Sequence, residues 1–184
     1  MSISYLFRIM TVLSFFLCGW NIASANASPP PNLKINNLTW THHSSGLRSY
    51  NLVDVYLCAL YLPNNDKRSK DELITSINTL EFPVVIRIEI LTSMLPDQMP
   101  EVWRETIESE VTGKAFYRFR KGFSSLNEGD VLFFVYIPRE STRLFLNDKF
   151  LFEDSGPGLM QGLLEQWIGS HPISEDLKQA LLGE

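Results

Sequence analysis

The sequence predicts an α+β fold: an antiparallel sheet with a layer of helices on one face. Three observations carry this. Several apolar runs have the length and period of strands, among them "VDVYLCALYL", "VVIRIEIL", "DVLFFVYI" and "TRLFLNDKFLF". Amphipathic stretches of helical period lie between and after them: "SKDELITSI", "LPDQMPEVWRETIESEV" and the closing "LLEQWIGSHPISEDLKQALL". No repeat or linker divides the chain after its N-terminus. For the order strands, helix, strand, helices, strands, helices, helices packed on one face of an antiparallel sheet are the natural solution.

The N-terminus stands apart. Arg8 precedes the apolar run "IMTVLSFFLCGW", and "NIASANAS" follows it with small residues spaced for cleavage. This is the layout of a secretory signal. The small-x-small pattern fits a cut after Ala25 or after Ala27, and the reading adopted is Ala27, leaving residues 28–184 as one domain. The apolar run is shorter than the roughly 20 residues a spanning helix needs, so no transmembrane segment is expected in the mature chain. Localisation is then periplasmic or secreted.

Each element has a local reason. "NLTWTHH" and "LRSYN" flank "SSG", which reads as a hairpin turn. In "VDVYLCALYL", Asp54, Tyr56, Cys58 and Leu60 share one face, and Val53, Val55, Leu57, Ala59 and Tyr61 the other. Ser69 caps the short helix "SKDELITSI". In "VVIRIEIL", Ile86, Ile88 and Ile90 face the core, while Arg87 and Glu89 fall on a wetter face. Met99, Val102, Trp103, Ile107 and Val111 form the stripe of the next helix. Gly113 to Gly129 is aromatic, basic and partly helical. "DVLFFVYI" is apolar on both faces, as a central strand would be. "TRLFLNDKFLF" turns at Asn147-Asp148. "SGPG" breaks the chain before two closing helices. The first of these ends at Gly169 and Pro172, and Ser174 caps the second, with Glu175 and Asp176 in its first turn.

Charge and residue types exclude several classes. The net charge is −5, and loss of residues 1–27 removes only Arg8, giving −6. An acidic exported chain is a poor nucleic-acid binder. Cys58 would be the single cysteine left, so no internal disulfide forms, and its place in an apolar run makes it a small buried hydrophobe. His42 and His43 are adjacent on a strand and point to opposite faces, with His171 far away, so no metal site and no cofactor are expected. "KAFYRFRKGF" interleaves Lys114, Arg118, Arg120 and Lys121 with aromatics. It reads as an amphipathic cover with solvated charges, and its cations could also attract a carboxylate ligand. Arg48, beside a strand carrying Tyr56, offers a permanently charged planar fork for an anionic head group.

The tail and "LRSYNLVDVYLCALYLP" together resemble the chalcone isomerase family, and most closely its exported bacterial branch. Tyr61-Leu62 is similar to a strand ending in "YL" that follows a hairpin arginine. Leu164-Glu165, Ile168-Gly169 and Ile173-Ser174-x-Asp176-Leu177-Lys178 match a late signature, and "GDVLFFVYIP" and "MPEVWRE" match the exported branch. The resemblance runs from Leu38 to Gly183. It implies an open-faced β-sandwich with a ligand cleft between sheet and helices. It also implies a site: Arg48 in the arginine position, Tyr56 at or near the threonine position, and Gln166 beside Trp167 near the late hydroxyl position. The tyrosine and asparagine of the plant enzymes should fall within Thr92 to Trp103, and that stretch has neither. The polar network that polarises a ketone is therefore absent, and one cation with apolar walls is left. A non-catalytic plant branch of the family binds fatty acids. The expectation is thus an exported, non-catalytic protein holding a fatty acid or similar apolar or amphiphilic small molecule. Arg48 would anchor the head, with Tyr56 or Tyr61 assisting. The alternatives are an intramolecular lyase or isomerase with a replacement acid (Tyr56, Tyr117 or Tyr136) and an envelope interaction factor.

Overall fold

Strands β1 (Asn32–Ile35), β2 (Leu38–Tyr50), β3 (Val53–Pro63), β4 (Val84–Ile90), β5 (Val131–Ile137), β6 (Ser141–Leu146) and β7 (Lys149–Ser155) lie side by side in chain order, every neighbouring pair antiparallel. This computed structural model describes residues 28–35, 37–64, 66, 68–77, 79–94, 101–110 and 113–183, with the side chains of some helical residues excepted. The expected export signal, residues 1–27, lies outside the described residues, as do Met99 and Val111 and the side chains of Val102 and Trp103. Among the described residues, no helix is long and apolar enough to cross a membrane.

Turn chemistry sets the meander. Asn147 takes φ 53° between β6 and β7, where the sequence predicts the turn. Its side chain accepts from the Val131 N–H and donates to Asp130, each at 2.9 Å, which ties this hairpin to the start of β5. Asn51 and Leu52 turn β2 into β3 with φ 48° and 67°. A left-handed pair suits Asn-Gly, so Leu52 is an unusual occupant.

The predicted turn at "SSG" is not there. Ser44, Ser45 and Gly46 lie inside one continuous strand, β2, which carries a bulge between His42 and Ser44. These small residues serve a distant contact. The Ser44 hydroxyl donates to the Leu181 carbonyl, and a Cβ on Gly46 would stand 2.7 Å from the Ala180 Cβ. A helix lies directly on the strand at this point, and only a residue without a side chain fits beneath it.

The helices α1 (Lys70–Ser76), α2 (Glu101–Glu110), α3 (Gly113–Phe123), α4 (Gly158–Ile168) and α5 (Glu175–Leu181) contribute to one core on one face of the sheet. Leu73, Ile107, Phe119, Leu163, Trp167 and Leu177 meet Cys58, Ile86, Ile88 and Phe134 there. α1 has the full capping box expected of Ser69 and Glu72. At the junction of α4 and α5, Lys178 donates to the Gly169 carbonyl at 2.7 Å and the Ser174 side chain accepts from the Leu177 N–H. Gly169 is required by space: a Cβ would stand 2.3 Å from the Glu165 carbonyl.

The curled sheet also buries its other face. Trp40, Ala59, Tyr61, Val85 and Val135 form a second, smaller cluster, flanked by Leu33, Ile35 and Phe145. Arg87 belongs to this face and is only 8% exposed, so the expected wet face is dry at its centre. Its guanidinium is neutralised by Glu89, two residues along the same face, at 2.8 Å. The alternation holds along the strand; the curl that removes the solvent is a property of seven strands together.

Candidate functional site

Arg48 and Tyr56 are direct cross-strand partners, so their side chains rise from the same, helix-covered face. The row continues across the sheet, since Tyr56 pairs in turn with Ile90 of β4. Along β2, the residues that share this face are Ser44, Gly46 and Arg48, opposite Leu60, Cys58 and Tyr56. α5 covers the first two. Arg48 is half-buried, next in the row beyond Gly46.

The Tyr56 hydroxyl accepts the Trp167 indole N–H at 3.0 Å, which fixes α4 over β3. Tyr56 is 6% exposed and Trp167 1%. Burial pushes the Tyr56 phenol far above its ordinary range; the neighbouring Cys58 adds to the push, while the Trp167 bond and the charge of Arg48 oppose it. The phenol therefore keeps its proton at any physiological pH and is neutral, not a base. Burial likewise pushes the Cys58 thiol up, so it is not a nucleophile. Arg48 donates from Nη1 to the Ser49 carbonyl at 2.6 Å. Among the described residues no carboxylate pairs with it. A cation with no carboxylate partner among the described residues, beside a buried neutral phenol and the apolar Ile90 and Trp167, is an arrangement suited to an anionic acceptor with an apolar body.

The structure brings Arg48, Tyr56 and Trp167 together. Gln166 is buried on α4 one residue before Trp167, about 100° further round the helix. Tyr61 is not part of the group. It lies on the opposite face, 0% exposed, with its hydroxyl donating to the Pro30 carbonyl at 2.9 Å. Tyr61 is an odd number of positions along the strand from Tyr56, so the pleat sends the two rings to different cores. Of the other candidate acids, Tyr117 is 67% exposed on α3. Tyr136 pairs with Val84, at the far end of β4 from Ile90. Ile90 and Gly46 were not singled out from sequence as site residues; strand register places them, and register is not visible in a single strand. Within the Thr92–Trp103 stretch, residues 95–100 and the side chains of 101–103 lie outside the described residues.

A family model described as chalcone isomerase-like matches residues 23–183. The chain belongs to the chalcone isomerase-like family. The crystal structure of a fatty-acid binding protein of Arabidopsis thaliana superposes with a TM-score of 0.58 at 14% identity, covering 83% of this chain and 90% of that one. At that identity the likeness is one of fold. A search of curated proteins finds no match. Within the family fold, the open-faced sheet and its helices are those that the resemblance implied, and Trp167, between the Leu164-Glu165 and Ile168-Gly169 of the late signature, is the residue bonded to Tyr56.

Proposed function

We propose that this protein is an exported, non-catalytic binding protein that holds a fatty acid or a similar apolar anion between the sheet and its helices. One observation carries the reading. Arg48, with no carboxylate partner among the described residues, stands beside the neutral Tyr56 phenol on the apolar, helix-covered face. The Arabidopsis neighbour, named as a fatty-acid binding protein, supports this ligand class for a shared fold. The absence of tyrosine and asparagine from Thr92 to Trp103 supports the non-catalytic part. The layout of residues 1–27 supports export.

Calorimetric titration of delipidated protein with a long-chain fatty acid and its methyl ester tests the site. A charge-assisted, bidentate head contact is worth on the order of 1.5–3 kcal/mol, so Arg48→Ala weakens the acid roughly 10- to 150-fold and the ester much less. Arg48→Lys recovers only part, because an ammonium keeps the charge and loses the fork. Equal affinity for the acid in the parent and a folded Arg48→Ala variant removes Arg48 from the site. A saturable, stereoselective loss of chalcone absorbance overturns the non-catalytic reading. A mature product still beginning at Met1 overturns export.

A further inference from the structure

A second site lies elsewhere on the sheet. A cavity of about 370 Å³ opens between α3 and the β6–β7 hairpin. Arg118 and Lys121 of α3 face Lys149 of β7 across it, over a floor of Leu146 and Leu151, which pack against the helix-side core. No carboxylate lines it. Among the described residues none of the three cations has an ion-pair partner. The Arg48 group is on β2 and β3, four to five strand spacings away, or roughly 20 Å along the sheet.

The basic run on α3 invites a local explanation, since cations in a last helical turn suit the dipole. That accounts for Lys121, but not for Lys149, which comes from another element and lines the same cavity. The cavity is also built. Gly122 lets α3 sit on the hairpin: a Cβ there would stand 3.0 Å from the Leu151 Cδ1. A volume of this size suits a small organic molecule. Three positive charges exceed what one carboxylate neutralises, so a doubly charged head is the better complement.

We propose that this cavity binds a phosphate monoester bearing an apolar substituent, with Arg118, Lys121 and Lys149 on the phosphate and Leu146 and Leu151 on the apolar part. The proposal is independent of the Arg48 site. The same chemistry is offered by a soluble ester and by a phosphatidic acid headgroup in a membrane.

Phenyl phosphate titrated into the mature chain, followed by calorimetry, probes the soluble source. Sedimentation with phosphatidylcholine vesicles, with and without phosphatidic acid, probes the membrane source. The variant Arg118→Gln/Lys121→Gln/Lys149→Gln changes exposed side chains only, and its urea midpoint verifies folding. Binding by either probe should weaken roughly 10- to 30-fold in the triple variant, as expected when three screened charges are removed together, and remain unchanged in Arg48→Ala. Inorganic phosphate should bind more weakly than phenyl phosphate; equal affinity overturns the apolar half of the assignment. Failure of both probes to bind the parent, or binding that survives in the triple variant, overturns the site. Loss in Arg48→Ala alone moves the phosphate to the Arg48 site and overturns it equally.

Discussion

At the scale of single residues, the contact between Trp167 and Tyr56 joins stability to the site. The indole donates to a phenol that is itself buried, so removing either partner takes this bond away from a polar atom in a dry place. A double-mutant cycle isolates this. Trp167→Phe and Tyr56→Phe should each destabilise the fold, and the two changes together should cost less than their sum, with a coupling of about 1–2 kcal/mol in urea unfolding. Strict additivity would show that the bond does not form. A different residue-scale effect sits at β2. His42 lies edge-on to Tyr61, centroids 5.5 Å apart. Burial lowers its pKa below 6.5, a backbone bond with Ser44 opposes this, and His43 adds a little. Burial also lowers His43, against the pull of Asp66. Both rings are thus favoured neutral in the folded state. Well above pH 6.5 neither state is protonated and the contribution is complete; as pH drops through 6.5 the unfolded chain takes up protons first, and stability falls until the lowered folded values are passed. The carboxylates of Glu72, Asp130 and Glu153 are held low by hydrogen bonds, so their contribution is lost only at more acidic pH. The urea midpoint should therefore fall between about pH 7.5 and about pH 5.5, and His42→Gln/His43→Gln should flatten that slope. An unchanged slope in the double variant would assign the effect to other groups.

Among the elements, the contact of α5 on β2 explains both why local pattern misleads at "SSG" and what a substitution there should do. Ser-Ser-Gly carries the composition of a turn, and local pattern alone cannot separate a turn from a strand kept thin for a helix that arrives more than 130 residues later. The same limit applies to Arg87, whose alternation is legible but whose burial depends on the curl of the whole sheet. Strands β3 to β7, the caps at Ser69 and Ser174, and the turn at Asn147 are legible because their causes are local; β1 and the continuity of β2 are not. For the candidate site, the family resemblance names Arg48, Tyr56, Trp167 and Tyr61 together, although Tyr61 lies on the other face of its own strand. The prediction follows from Gly46. An alanine in a strand normally gains a little over glycine through reduced chain entropy. Here its Cβ would meet the Ala180 Cβ at 2.7 Å and the Leu177 Cδ1 at 2.9 Å. Leu177 can rotate, but the Ala180 methyl is anchored to the helix backbone, so the clash wins. Gly46→Ala should cost about 1–3 kcal/mol, and Ala180→Gly in the same chain should restore part of it. A Gly46→Ala protein as stable as the parent would show that α5 does not lie on this strand.

For the whole molecule, the sheet is a meander in chain order, so most strand pairing is local, yet its helix-side core is sealed by the last segment of the chain. α4 and α5 rest on β2 and β3, and Cys58 lies beneath them, 1% exposed, opposite Gly46. In a chain that begins at residue 28, Cys58 is the single thiol, which makes it a reporter of how the tail opens. If α4 and α5 detach as a unit, Cys58 becomes reactive without unfolding of the remaining sheet. Labelling with an aromatic disulfide should then be slower than in the unfolded chain by a factor on the order of 10³ or more. Gly46→Ala, which loosens the tail, should accelerate labelling more than a change of equal global cost on the other face, such as loss of the Tyr61 hydroxyl and its bond to Pro30. Because the tail also holds Trp167 over Tyr56, a bound fatty acid should slow labelling in the parent, and should slow it much less in Arg48→Ala at the same ligand concentration. Rates that follow global stability alone, wherever the substitution lies, would show that the tail opens only when everything does, and that the α4–α5 layer has no separate opening.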